Sequence, residues 1–135
     1  MESNAVLDIS ASGMEAQAAR LRVIAENLAN QDTTGSSPNT DPYRRKTVVF
    51  GNELDRASGL SLVKIERVAT DPSAFPMLYD PAHPAADAGG YVRTPNVNSF
   101  VELMDMKEAE HSYSANLTML QTARNMLLRT LELIK

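Results

Sequence analysis

The stretch Leu7-Asp8-Ile9-Ser10-Ala11-Ser12-Gly13-Met14-Glu15-Ala16-Gln17-Ala18-Ala19-Arg20-Leu21-Arg22-Val23-Ile24-Ala25-Glu26-Asn27-Leu28 decides the fold. Within it Leu7, Ala11, Met14, Ala18, Leu21, Ala25 and Leu28 recur at alternating steps of four and three, which aligns side chains along one stripe of an α-helix. Alanine at every second position of that stripe leaves shallow holes, so a partner helix can approach closely. Asn30, Asp32 and Gly35 follow as stop signals.

Outward from this stretch, the helix breakers are sharply partitioned. All seven prolines, and every glycine except Gly13, fall between residues 35 and 95. Proline removes a helical hydrogen bond and glycine is entropically costly inside a helix. The distribution therefore predicts an α+β chain of three parts: an N-terminal helical segment over residues 1–34, a β-rich or loop insert over 35–96 and a C-terminal helix over 97–135. Short runs with strand character stand in the insert at 47–50, 62–68, 77–79 and 91–93, separated by turn residues.

The last segment repeats the helical pattern through Leu103, Met106, Tyr113, Leu117, Leu120, Leu127, Leu131 and Ile134, with Glu110 and Arg124 interrupting the register. Met104, Met119, Met126 and Leu133 form a second stripe that widens the apolar face. Such a face is broader than a two-stranded coiled coil requires and suits a helix with several neighbours. Methionine's flexible thioether fits varied packing surfaces. Two arrangements follow from the pattern: the stripes pack together as an antiparallel hairpin within one chain, giving a monomeric adaptor or binding module, or they pack against other subunits. The excess apolar face on the C-terminal helix favours the second.

Composition narrows the function classes. A chain of 135 residues with 43% hydrophobic content holds one modest domain's worth of core. A net charge of -4 offers no broad electrostatic reason to bind nucleic acid or an anionic membrane, so the expected partners are proteins. With no cysteine, disulfides, thiolate metal sites and cysteine nucleophiles are excluded. No window reaches the roughly 18–20 continuous apolar residues of a membrane span, and the N-terminus lacks the layout of a cleaved secretory signal. Neither membrane insertion nor ordinary secretion is expected.

The residues Ser10-Ala11-Ser12-Gly13-Met14, Ala16-Gln17 and Arg20 through Asn30, closed by Thr33 or Thr34, resemble the N-terminal signature of the flagellar rod and hook protein family. Asp41-Pro42-Tyr43-Arg44-Arg45-Lys46-Thr47, Asp80-Pro81-Ala82-His83-Pro84 and Gly90 through Asn98 resemble one rod-forming branch of it. Glu102 through Met106, Glu108-Ala109, Tyr113, Ala115-Asn116, Leu120, Thr122-Ala123 and Met126-Leu127 extend the likeness over nearly the whole chain. Gln31, Gly89 and Thr94 depart from the family's usual residue types.

The resemblance implies a structural subunit of the proximal rod of the bacterial flagellar basal body, a hollow torque-transmitting shaft across the periplasm. It implies terminal helices paired as an axial coiled coil, with the β-rich insert outside. It further implies passage through the flagellar type III export apparatus without a cleaved signal. The implied partners are other copies of the chain, the rod proteins FlgB, FlgF and FlgG, and FliE. The assembly interface expected from both stripes comprises Leu7, Ala11, Met14, Ala18, Leu21, Ala25, Asn27, Leu28, Met106, Tyr113, Leu117, Leu120, Leu127, Leu131 and Ile134.

No catalytic constellation stands out, and neither an enzymatic role nor a cofactor is expected. Asp80, His83 and Asp87 fall short of a specific metal-ligand motif, and Pro81 and Pro84 explain their segment as a rigid turn. His111 stands beside Glu108 and Glu110 without a nucleophile spaced to accompany it. Arg44, Arg45 and Lys46 are expected to contact an acidic neighbouring subunit rather than phosphates. Asn27 reads as a buried amide setting helix register, because misalignment leaves such a group unsatisfied. Asn30 reads as a helix stop.

Overall fold

The computed structural model describes residues 2–135, with side-chain surroundings from residue 4 onward. Its elements run α1 (Glu2–Ala29), β1 (Lys46–Asp55), β2 (Leu60–Thr70), β3 (Met77–Tyr79), β4 (Tyr91–Arg93) and α2 (Ser99–Ile134). This is the expected α+β plan of two long terminal helices around a small β-rich middle. Helix α1 stops where Asn30 turns back, its side-chain amide donating to Glu26 O at 2.9 Å while its own N–H reaches the same carbonyl. Helix α2 starts on Asn98, whose Oδ1 accepts the N–H groups of Phe100 and Val101, a standard N-cap.

The first two strands are longer than the apolar runs suggested because the turn between them is well capped. Asp55 Oδ1 accepts from Ala57 N–H at 3.0 Å, its Oδ2 accepts the Ser58 hydroxyl at 2.7 Å, and Gly59 supplies a φ of 73°. Those hydrogen bonds hold the Asp55 carboxyl below its usual range, Ser58's hydroxyl contributing most. β1 and β2 form one two-stranded sheet, and β3 and β4 form another. The second is antiparallel with Met77 opposite Arg93, Leu78 opposite Val92 and Tyr79 opposite Tyr91, the two tyrosine rings meeting edge to face at 5.3 Å.

Two compact units divide the chain, and each long helix contributes to both. The first comprises Met1–Leu21, Val48–Arg67 and Met106–Lys135. In it Ser12 Oγ accepts from Val63 N–H at 3.2 Å and donates to Ile9 O, tying β2 to α1. The second comprises Arg22–Thr47 and Val68–Asp105. Its buried apolar residues include Ile24, Ala85 and Val92.

The buried apolar set of the described residues is mostly alanine: Ala16, Ala85, Ala109 and Ala123, with Ile24 and Val92 the larger members. Bulky side chains are largely outside it. Among the described residues no helix is long and apolar enough to cross a membrane.

Candidate assembly surface

Within each unit the two helices meet through small or polar residues. In the first unit Gly13 faces Asn116, so closely that a Cβ on Gly13 would lie 2.8 Å from the amide nitrogen, and Arg20 pairs with Glu108 at 3.6 Å. In the second unit Asn27 donates to Glu102 at 3.3 Å. Numbers rise along α1 as they fall along α2, so the helices run antiparallel. The α1 seam is Ser10, Gly13, Gln17, Arg20, Ile24 and Asn27, alternating steps of three and four. Among them Ser10, Gly13, Ile24 and Asn27 are buried, and the Gln17 Oε1 is buried without a hydrogen-bond partner.

Every seam residue on α1 from Ser10 onward stands one position before a member of the apolar stripe Ala11, Met14, Ala18, Leu21, Ala25 and Leu28. One residue turns a helix by about 100°, so the stripe lies to one side of the residues that meet α2. Leu7, Met14, Ala18, Leu21 and Leu28 are accordingly half-buried, and Ala11 and Ala25 are exposed. None is sealed.

On α2 Glu102, Glu108 and Asn116 meet α1, and Met106, Ala109, Tyr113, Leu120, Ala123 and Leu127 recur beside them at helical spacing. Glu102, Ala109 and Ala123 are buried, while Met106, Tyr113, Leu120 and Leu127 are half-buried, so four of the expected interface residues are partly covered within the chain. The remaining three do not: Leu117, Leu131 and Ile134 are 36%, 52% and 75% exposed. Leu103, Met119, Met126 and Leu133 are exposed as well. Helix α2 thus presents large apolar side chains beyond the strip that meets α1.

Asn27 belongs to a buried node in the second unit. Its Oδ1 accepts from the Tyr43 hydroxyl at 2.8 Å and from Lys46 N–H at 2.9 Å, while its amide nitrogen donates to Lys46 O and to Glu102 Oε2. Every hydrogen-bonding direction of the amide is used. Glu102, fully buried, takes an ion pair from Arg45 Nε on its other oxygen. The Arg45 guanidinium also reaches Asp71 at 3.4 Å and Asp105 at 3.3 Å. Burial opposes the charge on Arg45, but the hydrogen bond and charge of Glu102, followed by Asp71 and Asp105, outweigh it and raise its pKa above the ordinary value.

The basic triplet is engaged inside the chain. Arg44 donates to Asp71 O at 2.8 Å and Ser73 O at 2.9 Å and stacks 4.1 Å over the Phe75 ring, while Lys46 pairs with Glu26. In the loop considered for metal binding, His83 Nδ1 accepts from Ala85 N–H and its Nε2 bonds the Thr34 hydroxyl. Asp87 Oδ1 accepts from the N–H groups of Gly89 and Tyr91. All of these but the Thr34 bond lie within the turn. His111 is exposed on α2. Sequence reasoning missed the Glu102–Arg45 pair, whose members stand 57 positions apart and share no local spacing signal.

The family described as Flagella basal body rod protein matches residues 7–35, and the one described as Flagellar basal body rod FlgEFG protein C-terminal matches residues 88–133. The chain is 47% identical to a flagellar basal-body rod protein FlgC of Agrobacterium fabrum over 132 residues, covering 98% of this chain and 95% of that protein. It is 41% identical to the FlgC of Salmonella typhimurium over 130 residues, 95% of each chain. Similarity reaches the FlgC of Bacillus subtilis at 35% over 144 residues, with 96% of each chain covered.

Proposed function

Because the chain belongs to the FlgC family of flagellar basal-body rod proteins, we propose that it works as a structural rod subunit joined to its neighbours through the apolar flanks of α1 and α2. The observation that carries this reading is the division of labour on the two helices. On α1 the residues turned to the other helix are Ser, Gly, Gln, Arg and Asn with one Ile, while Leu7, Met14, Leu21 and Leu28 on α1 and Leu117, Leu131 and Ile134 on α2 stay partly or largely open. Each large apolar side chain fully buried on assembly contributes about 1.5–3 kcal/mol. A row of them supplies ample driving force.

As a rod protein the chain assembles with itself and with other rod components. The finer reading takes FlgB, FlgF, FlgG and FliE as those neighbours, a periplasm-spanning shaft as the setting, and passage through the flagellar type III apparatus as the route. The three-part layout then corresponds to an axial core from residues 1–34 and 97–135 and an outer portion from 35–96. A rod has to transmit torque and needs no catalyst for it. The apolar flanks suit such work because they offer contact area on more than one side of each helix.

A monomeric hairpin adaptor is the competing reading, favoured by the intrachain antiparallel pairing and by the satisfied polar node. Leu21→Asp separates them. It places a charge on the flank and leaves the seam residues unchanged. The variant is expected to be exported and soluble yet absent from basal bodies, with loss of motility. Normal flagella in a strain carrying it would contradict the rod reading.

A further inference from the structure

The seven-residue repeat along α2 offers more than one way to align it against α1. Along α2 Met106, Tyr113, Leu120 and Leu127 succeed one another at seven-residue intervals, and Ala109, Asn116 and Ala123 do the same beside them. Sliding α2 by one heptad exchanges each bulky residue for another bulky one and each small residue for another small one. Gly13 would still face a short side chain. Heptad repeats of this kind are pinned by polar residues buried at single positions, because only one alignment satisfies them.

Glu102 is the position that does not exchange. A one-heptad slip brings Ala109 to Asn27, takes the carboxylate away from Arg45 and leaves the Asn27 amide short of an acceptor. Arg45 cannot follow the moving helix, because the segment around it is held elsewhere. Its carbonyl accepts from Asp71 N–H at 2.8 Å, and Lys46 is bonded at both N–H and C=O to Asn27 of α1. Tyr43 braces the same amide from the other side.

We propose that the Arg45–Glu102–Asn27 node is a register selector: it chooses one of several heptad alignments of the terminal helices, which their seam would otherwise permit. Arg45 and Glu102 act here as positioning residues. The selection operates within a single chain and does not depend on assembly, so it stands or falls separately from the rod reading.

The absence of cysteine from the sequence makes the alignment directly readable. A Cβ at residue 13 would lie 3.1 Å from Asn116 Cγ, so Gly13→Cys with Asn116→Cys reports the native alignment. Gly13→Cys with Ala109→Cys, or with Ala123→Cys, reports the two slipped ones. In the full chain, mild oxidation is expected to close the 13–116 pair and leave the other two at background. Adding Glu102→Leu, or separately Arg45→Met, is expected to lower the 13–116 yield by about half or more and raise a slipped pair several-fold, with helical circular dichroism retained. An unchanged pattern in both variants would overturn the proposal. So would loss of helix in both, since the node would then hold the fold together and not select the register.

Discussion

Tyr43 shows how strongly the node constrains a single residue. Burial, followed by the charges of Glu26 and Glu102, pushes its phenol up to about 12. The neutral form donates to Asn27, so the fold favours the protonated phenol. Its contribution to stability is complete below the ordinary tyrosine value of about 10 and is lost as pH rises from there through about 12. Titration of tyrosinate absorbance in the folded chain should show one phenol ionising near pH 12, absent from Tyr43→Phe. That variant should also lose less stability over the same alkaline range. Identical curves for the two proteins would show that the phenol is not held by the node. At the acid end Asp71 behaves oppositely. Backbone and hydroxyl hydrogen bonds from Ser73, with Arg45 adding, hold it below the usual carboxylate range against the effect of burial. Its contribution is therefore present above that range and lost as pH falls through its lowered value. At this scale sequence reading located Asn27, because an amide beside an apolar helical stripe is conspicuous. It could not locate Glu102, Arg45 or Asp71 as partners, since they are brought together only by the fold.

At the scale of elements the periodicity identified both helices, and the breakers identified the middle. The strands at 77–79 and 91–93 were legible because apolar and aromatic residues sit between turn formers. What hydrophobic periodicity could not reveal was the intrachain seam. Its α1 members are mostly polar or small, and a search for apolar stripes passes one residue to the side of them. Close approach there depends on Gly13, whose lack of a side chain admits the Asn116 amide. Gly13→Leu should therefore cost about 1–3 kcal/mol in denaturant unfolding, despite leucine's better helix propensity. Asn116→Ala in the same chain should recover part of that loss, because the two residues share one space. Simple additivity of the two changes would show that the helices do not meet where the structure puts them.

For the whole molecule, the decisive property is how much large apolar surface one chain leaves uncovered. Alanines and a satisfied polar node are buried, whereas Leu103, Met104, Met119, Met126, Leu131 and Leu133 of α2 are exposed. The family likeness was legible over nearly the full sequence, in motifs that the fold then places in the helices, the node and the turns. The flank residues are where a subunit's neighbours should be found, and the cysteine-free sequence offers a direct way to ask. Single cysteines at Leu21 and Leu131, together with one at the exposed Glu53 of β1 as a within-family control, can be labelled with a maleimide in the free chain and in purified basal bodies. Labelling at 21 and 131 should proceed readily in the free chain and be strongly protected in the basal body. Equal labelling of both positions in the two states would contradict assembly through the helix flanks.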